Sequence, residues 1–405
     1  MNVLTPNQTT GARVRENGSK SGWRRVRLGD VVQCVNDQEA NPQASPTERV
    51  VGLEHLDPGS LHIKRWASVE DGTTFTRRFK SGQVLFGKRR AYQRKLAVAD
   101  FDGICSGDIL VFQPKDEGLI PELLPFIMRA ESFWQHALDT SAGSLSPRTK
   151  WQDLARYEFA LPPKKEQRRI AEMLRAADKE KEALVAVLDR LAALNRAVFT
   201  NLVKSKMGAA GCTIGDVIHD IVAGKSPVCG SEPARETMFG VLKVSAVGND
   251  GYHEDENKEL LNAQDFQPEF EVQAGDFLVT RANALKSGVG RACIVEKTRR
   301  GLMLSDKTLK LLPRSSCTTP RVLLECIRLP DCRRYIEAAA NGTDAKNISQ
   351  EKLRLAPIPK LQMHDLTQLD DLLARFDRSK AVAQEKLARS RALSRSLMPK
   401  LLPEP

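Results

Sequence analysis

The chain has 405 residues, 41% hydrophobic and 28% charged, with 62 Lys and Arg against 51 Asp and Glu for a formal net charge of +11. That length suits two or three domains, and the positive excess favours a polyanionic partner, most simply nucleic acid, over the plainer reading of a basic protein with no such partner. No apolar run reaches the roughly 18 residues of a membrane span, the N-terminus lacks a signal-peptide core, and the 8 cysteines form no C-x-x-C pair, which together argue for a cytoplasmic protein with free thiols and no zinc site.

Residues 1–21 are polar, carry no apolar period and read as a flexible tail. Residues 22–162 read as a mixed α/β globular domain. Gly82–Phe86 and Ile109–Phe112 are compact strand-like runs, Asp57-Pro58-Gly59-Ser60 and Asp71-Gly72 are turn signals, and Leu119–Ala137 reads as a helix with Leu123, Ile127 and Phe133 on its apolar stripe. Residues 163–206 then change character. Ile170, Met173, Ala177, Leu184, Val187, Leu191, Leu194 and Val198 alternate by three and four, a coiled-coil seam interrupted at Glu180. A helix of about 40 residues is roughly 60 Å long, more than a domain of this size needs for itself.

Residues 207–359 repeat the globular plan, and 360–402 repeat the long helix, with Leu366, Leu369, Leu373, Phe376, Ala383, Leu387 and Leu397 in the seam. Lys380, Ser390 and Ser394 weaken it. A lone heptad helix leaves its stripe wet, so the two helices are expected to pack on each other. Glu180 and Lys380 fix register there or face solvent or a partner. The repeat is visible in order along the chain. Thr213-Ile214-Gly215-Asp216 echoes Arg27-Leu28-Gly29-Asp30, Gly275–Val279 echoes Gly82–Phe86, and Leu304–Pro313 echoes Cys105–Pro114. The offset of roughly 190 to 200 residues is far beyond the solenoid range of about 20 to 50. Two similar modules suit a task with two similar halves.

The chain lacks a G-x-x-x-x-G-K-[ST] phosphate loop, an Asn/Asp-Pro-Pro-aromatic tetrapeptide and an H-E-x-x-H pair. Its 6 histidines are scattered, and Asp331 and Glu337 have nothing downstream to complete a nuclease centre. The pattern is that of a binder with no catalytic residues and no metal site. The strongest chemical signal is Lys88, Arg89, Arg90, Tyr92, Gln93, Arg94 and Lys95, directly after an apolar run. Arg can bond guanine bidentately, Gln can bond adenine, and Lys or Arg can neutralise phosphates. On a strand, alternation would aim half of them at one face. The competing reading is a solvated edge strand guarded by cations.

The matching place in the second half carries Arg281, Asn283, Lys286, Ser287 and Arg291. A similar framework with different polar side chains is what two different half-sites require, and neutral drift on a wet face is the alternative. Two further loops precede the long helices: Ser141–Lys150, with Ser144, Arg148 and Lys150, and Asn341–Asn347, with Thr343, Lys346 and Asn347. Glycine there lets backbone approach a phosphate, and Ser or Thr can donate to it. An ordinary helix-to-strand connection fits those loops equally well.

From Trp23 to Leu402 the chain resembles the specificity (S) subunits of type I restriction–modification systems. The resemblance is carried by Trp23 with Leu28-Gly29-Asp30, by Gly87–Tyr92, and by Asp100–Asp108. Its most specific element is Leu161-Pro162-Pro163 followed by Glu166-Gln167 and Ile170. The second copy keeps Ile358-Pro359 and Leu366 but has Gln362-Met363 where Glu-Gln stands in the first. The resemblance implies two target recognition domains, each binding half of a split, asymmetric double-stranded DNA sequence. It implies a pseudo-twofold internal repeat whose long helices run antiparallel as a spacer and dock two methyltransferase subunits, to which restriction/motor subunits are added. S-adenosylmethionine, ATP and Mg would be used by those partners, and this chain would hold no cofactor. A methylation-only or type II-like arrangement, or a coiled-coil protein without a DNA role, are the alternatives.

Overall fold

The structure, a computed structural model, describes residues 22–44, 48–204 and 212–402; the tail expected over 1–21 lies outside them. It divides into two compact units. One is the chain up to Val185 together with the stretch from Glu385 onward, and the other is Ala186–Gln384.

In the first unit Arg24–Arg27 pairs antiparallel with Glu158–Leu161. One helical turn, Leu28–Val31, follows. Its Leu28 N–H donates to Tyr157 O at 2.7 Å and its Gly29 N–H to Ala155 O at 2.9 Å. A Cβ on Gly29 would lie 2.9 Å from Ala155 Cβ and 3.1 Å from its carbonyl, so only glycine lets these segments meet. The repeated Ile214-Gly215 does the same work in the second unit. There Ile214 N–H donates to Ala356 O at 3.0 Å, and a Gly215 Cβ would stand 3.1 Å from Arg354 O.

The first unit is built on an antiparallel sheet ordered Val32–Val35, Ile109–Pro114, Val84–Gly87, Leu96–Val98. Both faces are covered, which is why these strands read as unbroken apolar runs. Val84, Phe86, Leu110 and Phe112 pack against Phe133, Trp134 and Tyr157. Leu85, Ile109 and Val111 pack on the other side against Val51, Phe79 and Cys105. Val51 and Cys105 belong to a second sheet in which Arg49–Val51 and Gly103–Cys105 run parallel. The helix expected over 119–137 is in fact two, Leu124–Ile127 and Glu131–Asp139. Pro125, in the first turn of the first of these, bars a helix running unbroken from Leu119, and Leu123, Ile127 and Phe133 are all buried as the apolar stripe requires.

The second unit repeats this order with Ile218–Ala223, Thr308–Pro313, Phe277–Thr280 and Ala292–Ile294. Phe277 and Val279 face one core and Leu278 the other. A parallel pair recurs as Gly240–Leu242 with Leu302–Met303. All 8 cysteines are free, and burial pushes the Cys105, Cys293 and Cys332 thiols up to about 12, leaving them inert.

The long helices are Lys164–Val203 and Met363–Leu401. In the second, Leu366, Leu369, Leu373, Ala383 and Leu387 are buried, and Phe376 and Leu397 half-buried, as the heptad requires. The first corrects its expected seam. Ile170 is buried and Ala177, Leu184, Leu191 and Val198 are half-buried, but Met173, Val187 and Leu194 are 38, 43 and 52% exposed. The buried positions are instead Gln167, Ala171, Leu174, Asp178, Phe199 and Val203. The cause is that its early turns dock on the domain of their own unit through polar groups. Asp178 accepts from Arg129 at 2.9 Å and from Lys181 at 2.6 Å, and Lys181 also donates to Gly59 O at 2.7 Å. His62 and Ser60 reach Glu182 at 3.3 Å each. His62, Asp178 and Glu182 thus gather, but Arg129 and Lys181 already neutralise Asp178, making this an ion-pair clamp. Glu180 accepts from Ser390 at 3.2 Å, which with Leu401 packed in the core near Ile170 sets that end of the second helix antiparallel to the first. Lys380 is exposed and donates to Asp250 O at 3.3 Å.

Candidate nucleic-acid interface

The basic run after Val84–Gly87 is not a strand, so side-chain alternation does not apply to it. Arg89 makes a single antiparallel bridge to Arg148, and Ala91–Gln93 is a 3-10 turn. Arg90 and Arg94, which flank that turn, have φ of 56° and 51°; among the described residues they are the non-glycine residues in the left-handed region. That conformation is uncommon for a long side chain and re-aims it relative to the strand before it.

The bridge joins two stretches whose bridged residues are 59 apart in the sequence into one surface. Lys88 N–H donates to Asp108 O at 2.9 Å, Thr149 N–H to Lys88 O at 2.9 Å, and Arg90 N–H to Pro147 O at 2.8 Å. The loop carrying Ser144 is a hairpin closed by Ala142 and Arg148, which exchange backbone bonds at 3.1 and 2.9 Å. On this frame Asp108 accepts from Arg148 Nε at 2.9 Å and lies 3.6 Å from Arg89. Ser146 Oγ accepts from Arg89 at 3.1 Å and Arg90 at 3.4 Å. Tyr92, Ser144, Arg148 and Lys150 are exposed, while Lys88 and Gln93 are half-buried. Two more of the candidate cations are engaged within the chain: Arg94 pairs with Glu131, and Lys95 donates to Leu53 O at 2.6 Å.

Electrostatics follow from this crowding. Burial, then the neighbouring Arg77, lowers the Lys88 ammonium below its ordinary value, with Asp108 opposing. Burial would raise the Asp108 carboxyl, but the hydrogen bond and charge of Arg148, with Lys88 and Arg89, outweigh it and hold the carboxyl below the usual range.

The second unit builds the same frame. Arg281 N–H donates to Lys307 O at 2.8 Å and Ile348 N–H to Arg281 O at 3.0 Å. Ala282–Asn283 pairs with Lys346–Asn347, and Asn341 and Asn347 exchange backbone bonds at 3.0 and 2.8 Å. Arg89 and Ala282 are therefore equivalent positions, as are Arg148 and Asn347, and Asp108 and Lys307. Lys286, Ser287, Thr343 and Asn347 are exposed; Arg281, Asn283, Arg291 and Lys346 are half-buried. Lys346 Nζ donates to Gly342 O at 2.5 Å, and Arg333 to Ser287 O at 3.2 Å. A shallow cavity of about 390 Å³ is lined by Arg281, Asn341, Gly342, Asn347, Ser349 and Lys352. Among the described residues, the Nε of Arg89, Arg90, Arg281 and Arg291 are shielded from solvent and donate to nothing in the chain, so these guanidinium groups retain unused donors.

Sequence reasoning singled out both segments of each surface but not that they meet, and it did not single out Asp108, Lys307, Ser349 or Lys352 as candidates. The signal for two of these was present. Ser106-Gly107-Asp108 aligns with Ser305-Asp306-Lys307 in the repeat, an acid exchanged for a base. Asp331 and Glu337 are not a nuclease pair: Asp331 is bonded to Arg334, and Glu337 accepts from Arg333 at 3.1 Å.

The chain is thus a mixed α/β unit with a basic, bridged-loop surface, repeated once, with long helices. The type I restriction–modification system S subunit from M. genitalium, at 12% identity, shares the fold over 96% of this chain and 98% of that one, with a TM-score of 0.56. Residues 20–190 match the family described as type I restriction modification DNA specificity domain. The chain is 38% identical over 185 residues to the type I restriction enzyme EcoEI specificity subunit of Escherichia coli, covering 44% of this chain and 31% of that protein. It is 26% identical over 168 residues to the EcoDI specificity subunit of the same organism, covering 38% of this chain and 37% of that one. The matched stretches thus span about a third of those relatives. Residues 20–190 are thus similar to type I restriction–modification DNA specificity proteins.

Proposed function

We propose that this chain is the sequence-reading subunit of a type I restriction–modification complex, with each unit reading one half of a split DNA target. The observation that carries this is the duplicated bridge. Arg89 with Arg148 and Ala282 with Asn347 occupy the same backbone frame with different side chains. Arg suits guanine edges and phosphates, and Asn suits adenine, so the two surfaces are fitted to unlike half-sites. In this reading the chain performs no catalysis. Two methyltransferase subunits and a restriction/motor subunit dock on it, and they use S-adenosylmethionine, ATP and Mg. The exposed Met173, Val187 and Leu194 on the first long helix offer apolar surface for such docking.

The test is a genome-wide map of methylated adenines in cells that carry or lack the gene. A split motif present only with the gene is the expected result, and exchange of residues 22–162 for those of a relative should change one half of it. If the two maps are identical, or if the exchange alters both halves, the reading fails.

A further inference from the structure

At the centre of the first unit's basic surface stands a carboxylate. An acid facing DNA repels phosphate and lowers affinity, so its presence there asks for a compensating role. Asp108 is itself held rigidly. Its N–H donates to Ser106 Oγ at 3.2 Å, its carbonyl accepts from Lys88 at 2.9 Å, and Ile109 N–H closes the turn on Ser106 O at 2.9 Å. From that platform its side chain takes Arg148 Nε at 2.9 Å and reaches Arg89 at 3.6 Å, with Ser146 holding Arg89 from another side at 3.1 Å. The contact with Arg148 uses Nε and leaves the terminal nitrogens of its guanidinium available. Bidentate recognition of a base edge needs a guanidinium plane fixed in direction, and an unbraced Arg must lose rotamer freedom on each encounter.

We propose that Asp108 is a positioning residue for base recognition: it fixes the Arg89 and Arg148 guanidinium groups in one pose and so sets the sequence preference of the first unit's half-site. The second unit has the same turn, with Thr308 N–H on Ser305 O at 3.1 Å, but presents Lys307 at the equivalent place and so reads without that brace. The inference rests on the DNA-reading function proposed above and assigns a residue to it.

The experiment uses the chain assembled with its methyltransferase partner. Adenine methylation is mapped for the wild type, Asp108→Asn and Arg148→Lys, and binding to a random-sequence duplex is measured for each. Asp108→Asn should make one guanine-containing position of the first unit's half-motif degenerate, with discrimination there falling roughly 5- to 150-fold. Random-duplex affinity should rise as the negative charge is lost. Arg148→Lys keeps the charge, loses the fork, leaves Asp108 in place and should loosen the same position with random-duplex affinity unchanged. A half-motif that stays fully specified in Asp108→Asn overturns the proposal, even if random-duplex affinity rises or Arg148→Lys loosens that position. Degeneracy in the second unit's half-motif overturns it too. If the wild type itself yields no split motif, the DNA-reading function fails instead, which separates the two failures. Should Asp108→Asn not fold, Arg148→Lys still decides the outcome by whether that position loosens.

Discussion

Gln167 shows how one side chain can fix where a domain ends and a helix begins. It is 1% exposed and fully bonded: its Oε1 accepts from Ile120 N–H at 2.9 Å, and its Nε2 donates to Gly118 O at 2.8 Å and Pro162 O at 2.9 Å. This is the physical content of the Glu166-Gln167 motif. The second copy has Gln362-Met363 and solves the same problem differently, with Asp365 accepting from Gln362 N–H at 2.9 Å. Gln167→Leu keeps the volume but removes the partners of three backbone groups, one buried and two part-buried, and should lower the first unit's stability by about 1 to 3 kcal/mol in urea denaturation.

Asp178 carries a pH signature. Burial alone would raise its carboxyl, but Lys181 and Arg129 together outweigh this and hold it below the ordinary value of 3.8. A carboxylate depressed in the folded state favours folding at pH above its unfolded value, and that contribution vanishes as pH falls through the folded one. The first unit should therefore lose stability as pH drops below about 4. In Asp178→Asn this acid loss should be smaller; an unchanged acid limb in thermal melts at stepped pH would contradict the role given to the clamp.

Among elements, the first long helix is the instructive one. Its apolar residues fit a heptad through Met173, yet the buried face runs one residue later, through Leu174 and Asp178. Apolar period finds a helix and its length, but the phase is chosen by what the helix packs on, and a salt-bridged Asp in the interface is invisible to an apolar count. In the second helix the period and the burial agree. Leu174→Ala should cost about 2 to 4 kcal/mol, and Met173→Ala no more than about 0.5 kcal/mol, in equilibrium unfolding of the two variants.

For the whole molecule, the division of labour between the two units is the consequence to test. Lys352, which lines the cavity beside Asn347 together with Arg281, is a point charge without a base-reading fork and suits phosphate. Lys352→Ala should weaken DNA binding by the assembled complex equally for all sequences, and reduce the slope of log affinity against log salt by about 1. Titrations at several salt concentrations, with target and random duplexes, read this directly. A change confined to the target duplex would move Lys352 from phosphate to base recognition.

The sequence by itself determined the duplication, the mixed α/β class, the two long helices, and the basic segments after each central strand. These are local or periodic properties, written in apolar spacing, glycine and charge. Only the tertiary structure decided that Arg89 meets Arg148 and Ala282 meets Asn347, that Asp108 sits among the arginines, and that the first helix turns Leu174 inward. Each of these depends on backbone pairing or packing between residues distant in the chain, and such pairings leave no period to read.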